Sequence, residues 1–294
     1  MSGAAARPSA SVIVPFAGDA QAAERALSLL SLVDIGSGDE AILADNSRER
    51  TALALDPPPG IRVIEAGGER TSYHARNAGA AEASGDWLVF IDADCRPRSD
   101  LLDRYFEPLP GEGVGALAGS VVGAPGQDAF LARYARSRNF LDQDSGMHTH
   151  EDGAATANLA VRRPAFDSIS GFEEGIRSGG DVDLCRRLQD AGWTLERRAE
   201  AGVEHLHRES LVDLLGAIAR YGAGARWLND RYPGSAPAWP LVPGLLGAGV
   251  DIATETLKGR VESAAFRGVD ALGLIAHVAG YRFSNRVERE RPRS

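Results

Sequence analysis

The feature that most constrains the fold is the alternation of short apolar strands with helices over the first third of the chain. Four segments rich in aliphatic residues are predicted strands: Ser11–Val14, Ala41–Ala44, Ile61–Glu65 and Trp87–Ile91. Between them, Gln21–Val33 has an amphipathic pattern and Ser72–Ala83 is rich in Ala, which predicts two helices. This order is typical of an α/β fold, with a mostly parallel, doubly wound sheet flanked by helices.

The middle of the chain predicts two more strands and three helices. The strands are Val114–Val122 and Asn158–Val161, and the helices are Asp128–Phe140, Val182–Ala191 and Leu211–Trp227. A polar loop, Gln143–Gly153, is expected to order over a bound ligand and exclude water.

A cluster of Pro, Gly and Ser at Arg231–Pro240 predicts a linker before a C-terminal helical extension. The helices expected in the extension are about Val250–Lys258 and Ala264–Ala279. We therefore predict a main domain over residues 1–232 and the extension over residues 233–294. The expected role of these helices is packing against the main domain or against a second subunit in a homodimer. Contact with a membrane surface is the weaker alternative, because a dense Lys/Arg face is missing.

Bulk properties exclude several classes of function. The formal net charge of −9 argues against a nucleic-acid partner. The two cysteines, Cys95 and Cys185, lack the spacing of a zinc site or a disulfide framework. The longest apolar stretch, Leu241–Val250, is far shorter than a membrane span, and the N-terminal residues lack a secretory pattern. A cytoplasmic location is expected, with peripheral contact at the membrane left open.

The sharpest chemical feature is the apolar strand that runs into Asp92 and Asp94. Side chains two positions apart on a strand share a face, and ligands of such sheets bind beyond the carboxyl ends of the strands. Two adjacent carboxylates suit a hard cation, Mg²⁺ or Mn²⁺, which can hold a diphosphate. A simple Asp turn is the alternative.

Three further features, which comprise four residues, carry candidate chemistry. Arg76 offers a forked cation to phosphate, unless it is a solvated helix charge. Asp181, after Gly179 and Gly180, is either a helix cap or a proton acceptor. His205 and His207 share one face of a strand-like segment, Val203–Arg208, and an imidazole there would favour Mn²⁺ over Mg²⁺.

The order of the motifs resembles the family 2 glycosyltransferases of the GT-A fold, over about Ala10 to Trp227. The segments that carry this resemblance are Ser11-Val12-Ile13-Val14-Pro15, Ala44-Asp45-Asn46-Ser47, Ala75-Arg76-Asn77-Ala78-Gly79, Phe90-Ile91-Asp92-Ala93-Asp94, Asn158-Leu159-Ala160-Val161-Arg162-Arg163, Gly171-Phe172, Gly180-Asp181-Val182-Asp183-Leu184, Arg187-Leu188 and Val203-Glu204-His205. The resemblance implies an enzyme that moves a sugar from a nucleotide-sugar, most commonly a UDP-sugar, to an acceptor hydroxyl with inversion. It places the nucleotide-sugar half at about 10–124 and the acceptor half at about 125–232.

The resemblance also implies roles for single residues. Those expected to bind the donor are Pro15, Phe16, Asp45, Arg76, Asn77 and Asp92, with Asp45 reading the base. Asp92-Ala93-Asp94 is the DxD motif, and Asp92, Asp94 and His205 are the expected ligands of Mn²⁺ or Mg²⁺, with His207 the weaker choice. Asp181 is the expected catalytic base. The acceptor class, whether saccharide, lipid, peptide or small natural product, is left open.

Gly180 departs from the family pattern, which often has Glu at that position. The alternative function is therefore a non-catalytic nucleotide-sugar-binding or scaffold protein derived from a glycosyltransferase. A nucleotidyltransferase is disfavoured, because the turn after the first strand, Pro15–Asp19, contains no Lys or Arg to hold a triphosphate.

Overall fold

The computed structural model describes residues 7–139 and 153–287, in which eight strands form one sheet. The strands are β1 Ala10–Phe16, β2 Glu40–Asp45, β3 Ile61–Glu65, β4 Trp87–Ile91, β5 Cys95–Pro97, β6 Val114–Gly123, β7 Asn158–Arg162 and β8 Thr194–His205. The helices are α1 Ala20–Leu30, α2 Ser72–Glu82, α3 Leu101–Tyr105, α4 Phe130–Ser137, α5 Arg163–Ser168, α6 Gly180–Asp190, α7 Leu211–Arg231, α8 Leu241–Leu257 and α9 Val261–Gly280.

The sheet has the order β3-β2-β1-β4-β7-β6-β8-β5 and falls into two parts. From β3 to β4 all neighbours are parallel. Beyond β4 the sheet is mixed, because β7 runs antiparallel to both of its neighbours and β5 antiparallel to β8, while β6 and β8 are parallel. The predicted α/β class with flanking helices is confirmed, and the parallel arrangement dominates the first four strands.

Alternation along β1 builds a core on each face of the sheet. Val12 and Val14 pack under α1, whereas Ile13 packs with Phe90 on the opposite face. A methyl group on Gly79 of α2 would lie 2.4 Å from Ile13 Cγ2, so only glycine lets α2 approach the sheet this closely. This close approach positions the residues of α2 over the carboxyl ends of the strands.

The C-terminal helices pack on the rest of the protein through α9. A hydrophobic cluster joins α9 to α4 and α7: Leu131, Tyr134, Leu214, Ile218, Phe266 and Val269. Arg138 and Asp270 add an ion pair at 2.7 Å. A Cβ on Gly280 would come within 1.9 Å of the carbonyl oxygen of Ala219, so glycine is required where α9 meets α7.

Several predicted elements have the wrong bounds. Helix α8 begins at Leu241 rather than Val250, because Pro243 lies in the first helical turn, where the missing N–H costs nothing. Strand β8 spans Thr194–His205 rather than Val203–Arg208, since its first half has exposed charged residues that hide the strand pattern. Helix α4 also ends at Ser137, before the predicted Phe140. Most of the predicted polar loop Gln143–Gly153 lies outside the described residues.

Helix α8 exposes an apolar stripe formed by Val242, Leu246 and Val250, each about two-thirds exposed. Within the two described stretches of the chain, none of the helices combines the length and apolarity that crossing a bilayer requires.

Candidate active site

Asp92 and Asp94 lie in the turn that joins β4 to β5, at the carboxyl end of the parallel strands. The strand ends at Ile91, so the pair is brought together by the turn rather than by strand alternation. Both carboxylates are partly exposed, at 33% for Asp92 and 43% for Asp94. They line one cavity of about 370 Å³ together with Pro15 and Phe16.

Arg76 reaches Asp92 from α2, with Nη2 donating to Oδ1 at 2.5 Å. Its side chain is only 4% exposed, and its guanidinium lies 5.7 Å from the ring centres of Tyr73 and Phe172. The alternative of a solvated helix charge is therefore wrong for Arg76. A buried guanidinium at this position fixes the orientation of Asp92 and places positive charge beside the cavity.

The two carboxylates of the motif differ in their pKa. Burial raises the pKa of Asp92, which Arg76 opposes and the neighbouring Asp94 reinforces. Burial also acts to raise the pKa of Asp94, but His205, Arg208 and a backbone hydrogen bond together lower that pKa. Like charges at close range account for part of this split, and a cation placed near them would favour the ionised form of both.

The antiparallel pairing of β5 with β8 places His205 opposite Cys95, directly beside this turn. His205 Nε2 lies 3.4 Å from Asp94 Oδ2. Its Nδ1 lies 3.3 Å from Nδ1 of His207, whose pKa is lowered to about 4 by burial and by His205. The Nε2 atom of His207 is buried and has no hydrogen-bond partner among the described residues.

This donor set fits a divalent cation only in part. Among the described residues, no three His, Cys, Asp or Glu side chains are grouped as a metal site. Asp94 is a partly exposed oxygen donor and His205 a buried nitrogen donor, 3.4 Å apart, while one oxygen of Asp92 is taken by Arg76. Such a pair holds a cation when a ligand supplies further oxygens, as a diphosphate does.

Asp45 and Asn77 do not line this cavity. Asp45 is 1% exposed, and its carboxylate accepts hydrogen bonds from the amides of Ser47, Ala52 and Leu53 at 2.8–3.1 Å. It therefore fixes the loop after β2, and its predicted role in reading the base is not tested by this geometry.

Asn77 connects α2 to the loop that follows α5. Its Nδ2 donates to the carbonyl of Phe172 at 2.9 Å and to Glu174, and its Oδ1 accepts from the amide of Phe172 at 2.9 Å. All of these contacts are internal to the protein. The predicted contact of Asn77 with the donor stays a prediction.

A second cavity of about 330 Å³ adjoins the first, and Ser72, Arg76 and Asp92 line both. Asp181 lies in its wall, in the first turn of α6. The helix starts after Gly179, whose φ of 86° is a left-handed conformation that favours glycine. Within the described part of the chain, the carboxylate of Asp181 accepts only a local hydrogen bond, from the amide of Val182.

Tyr73 explains the unusual glycine before Asp181. The amide of Gly180 donates to Tyr73 Oη at 2.9 Å, and a Cβ on Gly180 would lie 2.7 Å from the Tyr73 ring. The ring thus fills the space that a side chain at position 180 would need. Burial and the nearby charge of Asp181 raise the pKa of Tyr73, so its hydroxyl stays protonated.

Sequence reasoning missed Tyr73, Arg177, Arg186 and Tyr221, all of which line the second cavity. They come from α2, the loop before α6, α6 itself and α7. No local motif marks them, because their proximity arises only from the packing of α7 and α2 around α6.

Comparison with known proteins places most of this region in one family. The family described as "Glycosyl transferase family 2" matches residues 11–169, which include Asp92 and Asp94 but not Asp181 or His205. The pre-mycofactocin glycosyltransferase of Mycobacterium tuberculosis is 31% identical over 194 residues, covering 64% of this chain. The chain spans only about two fifths (41%) of the length of that relative. Glycosyltransferase AglE of Haloferax volcanii is 29% identical over 76% of both chains.

Solved structures support the fold. A mannosyltransferase from Pyrobaculum calidifontis, in complex with GDP-Man and Mn²⁺, superposes with a TM-score of 0.62 and 19% identity, covering 94% of this chain and 88% of its own. Glucosyl-3-phosphoglycerate synthase of Mycobacterium tuberculosis, in complex with Mn²⁺, UDP-glucose and glycerol 3-phosphate, gives 0.51 at 22% identity, covering 79% and 83%. At these identities the likeness concerns the fold, and both are transferases of the GT-A type.

Proposed function

Because the chain belongs to glycosyl transferase family 2, we propose that it is a glycosyltransferase that moves a sugar from a nucleotide-diphosphate sugar, with UDP as the expected nucleotide, to an acceptor hydroxyl with inversion. The observation that carries this proposal is the pair of adjoining cavities. One has the two carboxylates of the DxD motif, and the other has Asp181. The reacting bond would lie where they meet, beside Arg76 and Asp92.

In this proposal the donor occupies the cavity lined by Pro15, Phe16, Asp92 and Asp94. Pro15 and Phe16 contact the nucleotide, and Asp45 holds the neighbouring loop in place. Arg76 contributes positive charge near the diphosphate. The buried position of Arg76 supports this role, since its charge acts in a site with little competing water.

Asp94 and His205 would hold Mn²⁺ or Mg²⁺, with Asp92 next to them. A bound divalent cation supplies stabilisation of the negative charge that develops on the leaving diphosphate. Asp92, oriented by Arg76, is placed to hold the ribose or water near the cation. His207 is a weaker candidate ligand, because its Nδ1 faces His205.

Asp181 would accept the proton of the acceptor hydroxyl as that oxygen attacks the anomeric carbon. Its carboxylate has no ion-pair partner among the described residues and lines the second cavity. A single displacement with the base and the leaving group in separate cavities inverts the anomeric configuration. General base catalysis of this kind contributes roughly 10²–10⁴-fold in rate.

The experiment that tests the proposal measures nucleoside diphosphate released from a panel of nucleotide-sugars with Mn²⁺ and mixed acceptors. Wild type is compared with Asp181→Asn, and Asp190→Asn, at the far end of α6, is the matched control. We expect release by wild type and by the control, with a loss of about 10²-fold or more in Asp181→Asn. Donor binding without release in wild type would instead support the non-catalytic alternative.

Two expectations concern the C-terminal region. We propose residues 233–294 as an extension built onto the transferase domain, which the packing of α9 on α4 and α7 supports. A homodimer contact or a membrane-surface contact of the extension stays a prediction.

A further inference from the structure

We propose that the second cavity binds acceptors that carry an anionic group, a phosphate or a carboxylate, held by Arg177 and Arg186. This inference rests on the proposed function, because it assigns the second cavity to the acceptor. The two arginines lie in the wall of that cavity together with Asp181.

The charges of the Arg177 and Arg186 guanidinium groups are not neutralised by any carboxylate among the described residues. Among the described residues, Arg177 and Arg186 form no ion pair and no side-chain hydrogen bond, whereas Arg187, the next residue of α6, and Arg231 of α7 both bind Asp183. In a chain with a formal net charge of −9, two unpaired cations in one cavity leave a local positive charge. Asp181 is the one unpaired carboxylate in the described lining, since Asp92 is bound to Arg76.

The backbone that carries Arg177 is fixed by the C-terminal segment. The amide of Arg177 donates to the carbonyl of Asn285 at 3.0 Å, and Asn285 Nδ2 donates to the carbonyl of Ser178 at 2.8 Å. Asn285 is itself buried, at 4% exposure. Arg177 is exposed, but its backbone is thus held at the rim of the cavity by a contact with a distant segment of the chain.

Arg186 is held by an aromatic ring. Its guanidinium lies 4.8 Å from the ring centre of Tyr232, and the hydroxyl of Tyr232 donates to Asp183 Oδ1 at 2.8 Å. The face of the guanidinium is therefore occupied while its N–H groups stay available. Stacked guanidinium groups bind phosphate and carboxylate through two parallel hydrogen bonds.

The positions of the two arginines favour binding of an acceptor rather than of the donor diphosphate. Arg177 and Arg186 are absent from the lining of the cavity that holds Pro15, Phe16 and Asp94, and they share a cavity with the proposed base. An anionic group bound there would orient a nearby hydroxyl towards Asp181. The same chemistry is offered by a soluble phosphorylated or carboxylated metabolite and by the headgroup of an anionic lipid.

The test measures binding of inorganic phosphate by calorimetry, in EDTA, to wild type, Arg177→Gln and Arg186→Gln. Arg48→Gln is the control, since Arg48 is exposed and lines neither cavity. We expect roughly tenfold or greater weakening in both cavity variants, from the loss of charge-assisted hydrogen bonds, and wild-type affinity in the control. Equal affinity in all four proteins, or no binding to wild type, would overturn the proposal.

A parallel measurement of UDP and GDP binding with Mn²⁺ separates this inference from the proposed function. We expect nucleotide affinity to be the same in all four proteins. Loss of nucleotide binding in Arg177→Gln or Arg186→Gln would assign the arginines to the donor and overturn the inference. If no nucleotide binds to wild type, the proposed function fails, while the phosphate measurement still reports on the anion site.

Sedimentation with vesicles identifies the source of the anion. Vesicles of phosphatidylcholine with phosphatidylglycerol are compared with vesicles of phosphatidylcholine alone. If the protein sediments only with vesicles that contain the anionic lipid, and only when both arginines are present, the anionic group belongs to a lipid headgroup. Phosphate binding without sedimentation assigns a soluble acceptor, and both results support an anionic site.

Discussion

The contact between Gly180 and the Tyr73 ring predicts that any side chain at position 180 destabilises the protein. In Gly180→Ala the new methyl group would lie 2.7–2.9 Å from three atoms of the ring, which is closer than real Cβ contacts allow. Tyr73 is 6% exposed and its ring stacks on Phe172 at 5.7 Å, so it has little room to move. Overpacking of this kind costs about 1–3 kcal/mol. For a chain of this size we expect a fall in Tm of about 2–4 °C per kcal/mol.

The loss of stability caused by Gly180→Ala should depend on the ring of Tyr73 and not on the replacement of glycine alone. In a Tyr73→Ala background the space is empty, so Gly180→Ala should be neutral or should stabilise by up to about 1 kcal/mol through helix propensity. In a Tyr73→Phe background the ring remains, and the cost should persist although the hydrogen bond from the Gly180 amide is lost. Urea unfolding of the six proteins gives the coupling energy. An equal cost of Gly180→Ala in the alanine and phenylalanine backgrounds would refute the steric explanation.

Three further predictions concern packing and pH. Asn77→Ala should lower the unfolding free energy by about 1–3 kcal/mol, because the amide and the carbonyl of Phe172 lose their hydrogen-bond partner. Urea unfolding measures this loss, with Asn229→Ala as the control. An equal loss of unfolding free energy in the two variants would contradict the prediction. Gly280→Ala should separate α9 from α7, since the new Cβ would clash with the carbonyl oxygen of Ala219. The C-terminal region should then be cleaved faster in limited proteolysis, and an unchanged digestion pattern would contradict this packing. His277 stacks on Trp239 with ring centres 4.0 Å apart, and burial lowers its pKa below 6.5. The unfolded chain therefore binds a proton at His277 more readily than the folded protein does, so stability should fall as pH drops below 6.5. Thermal unfolding at pH 7.5 and 5.5 should show a smaller drop in Tm for His277→Phe than for wild type. An equal drop in both proteins would contradict the assignment to His277.

The parts of the structure that sequence predicted depend on short-range patterns. The strands up to Ile91 are short segments rich in aliphatic residues, and the acidic turn at Asp92 and Asp94 follows directly from where the last of them ends. Asp181 is recognisable from the sequence because it follows two glycines near the start of a helix. Each of these features is encoded within about ten neighbouring residues.

The parts that sequence missed depend on contacts between distant segments. The sequence alone shows only that Gly180 departs from the family pattern, whereas the residue that excludes a side chain there, Tyr73, lies 107 positions away. Arg177 is placed by Asn285, which is 108 positions away. The first half of β8 has charged residues on an exposed face, so its strand character comes from pairing with β6 rather than from apolar alternation. Such features arise only after the sheet and the helices have packed.

The most direct test of the central claim is metal-dependent donor binding at Asp94. Binding of a panel of UDP- and GDP-sugars is measured by calorimetry with Mn²⁺ and with EDTA, for wild type, Asp94→Ala and the control Asp190→Ala. The account predicts that one donor binds to wild type and to the control only when Mn²⁺ is present, and that Asp94→Ala loses this binding. Donor binding that is unchanged by EDTA and by Asp94→Ala, or that is absent from wild type under every condition, would contradict a metal-assisted transferase.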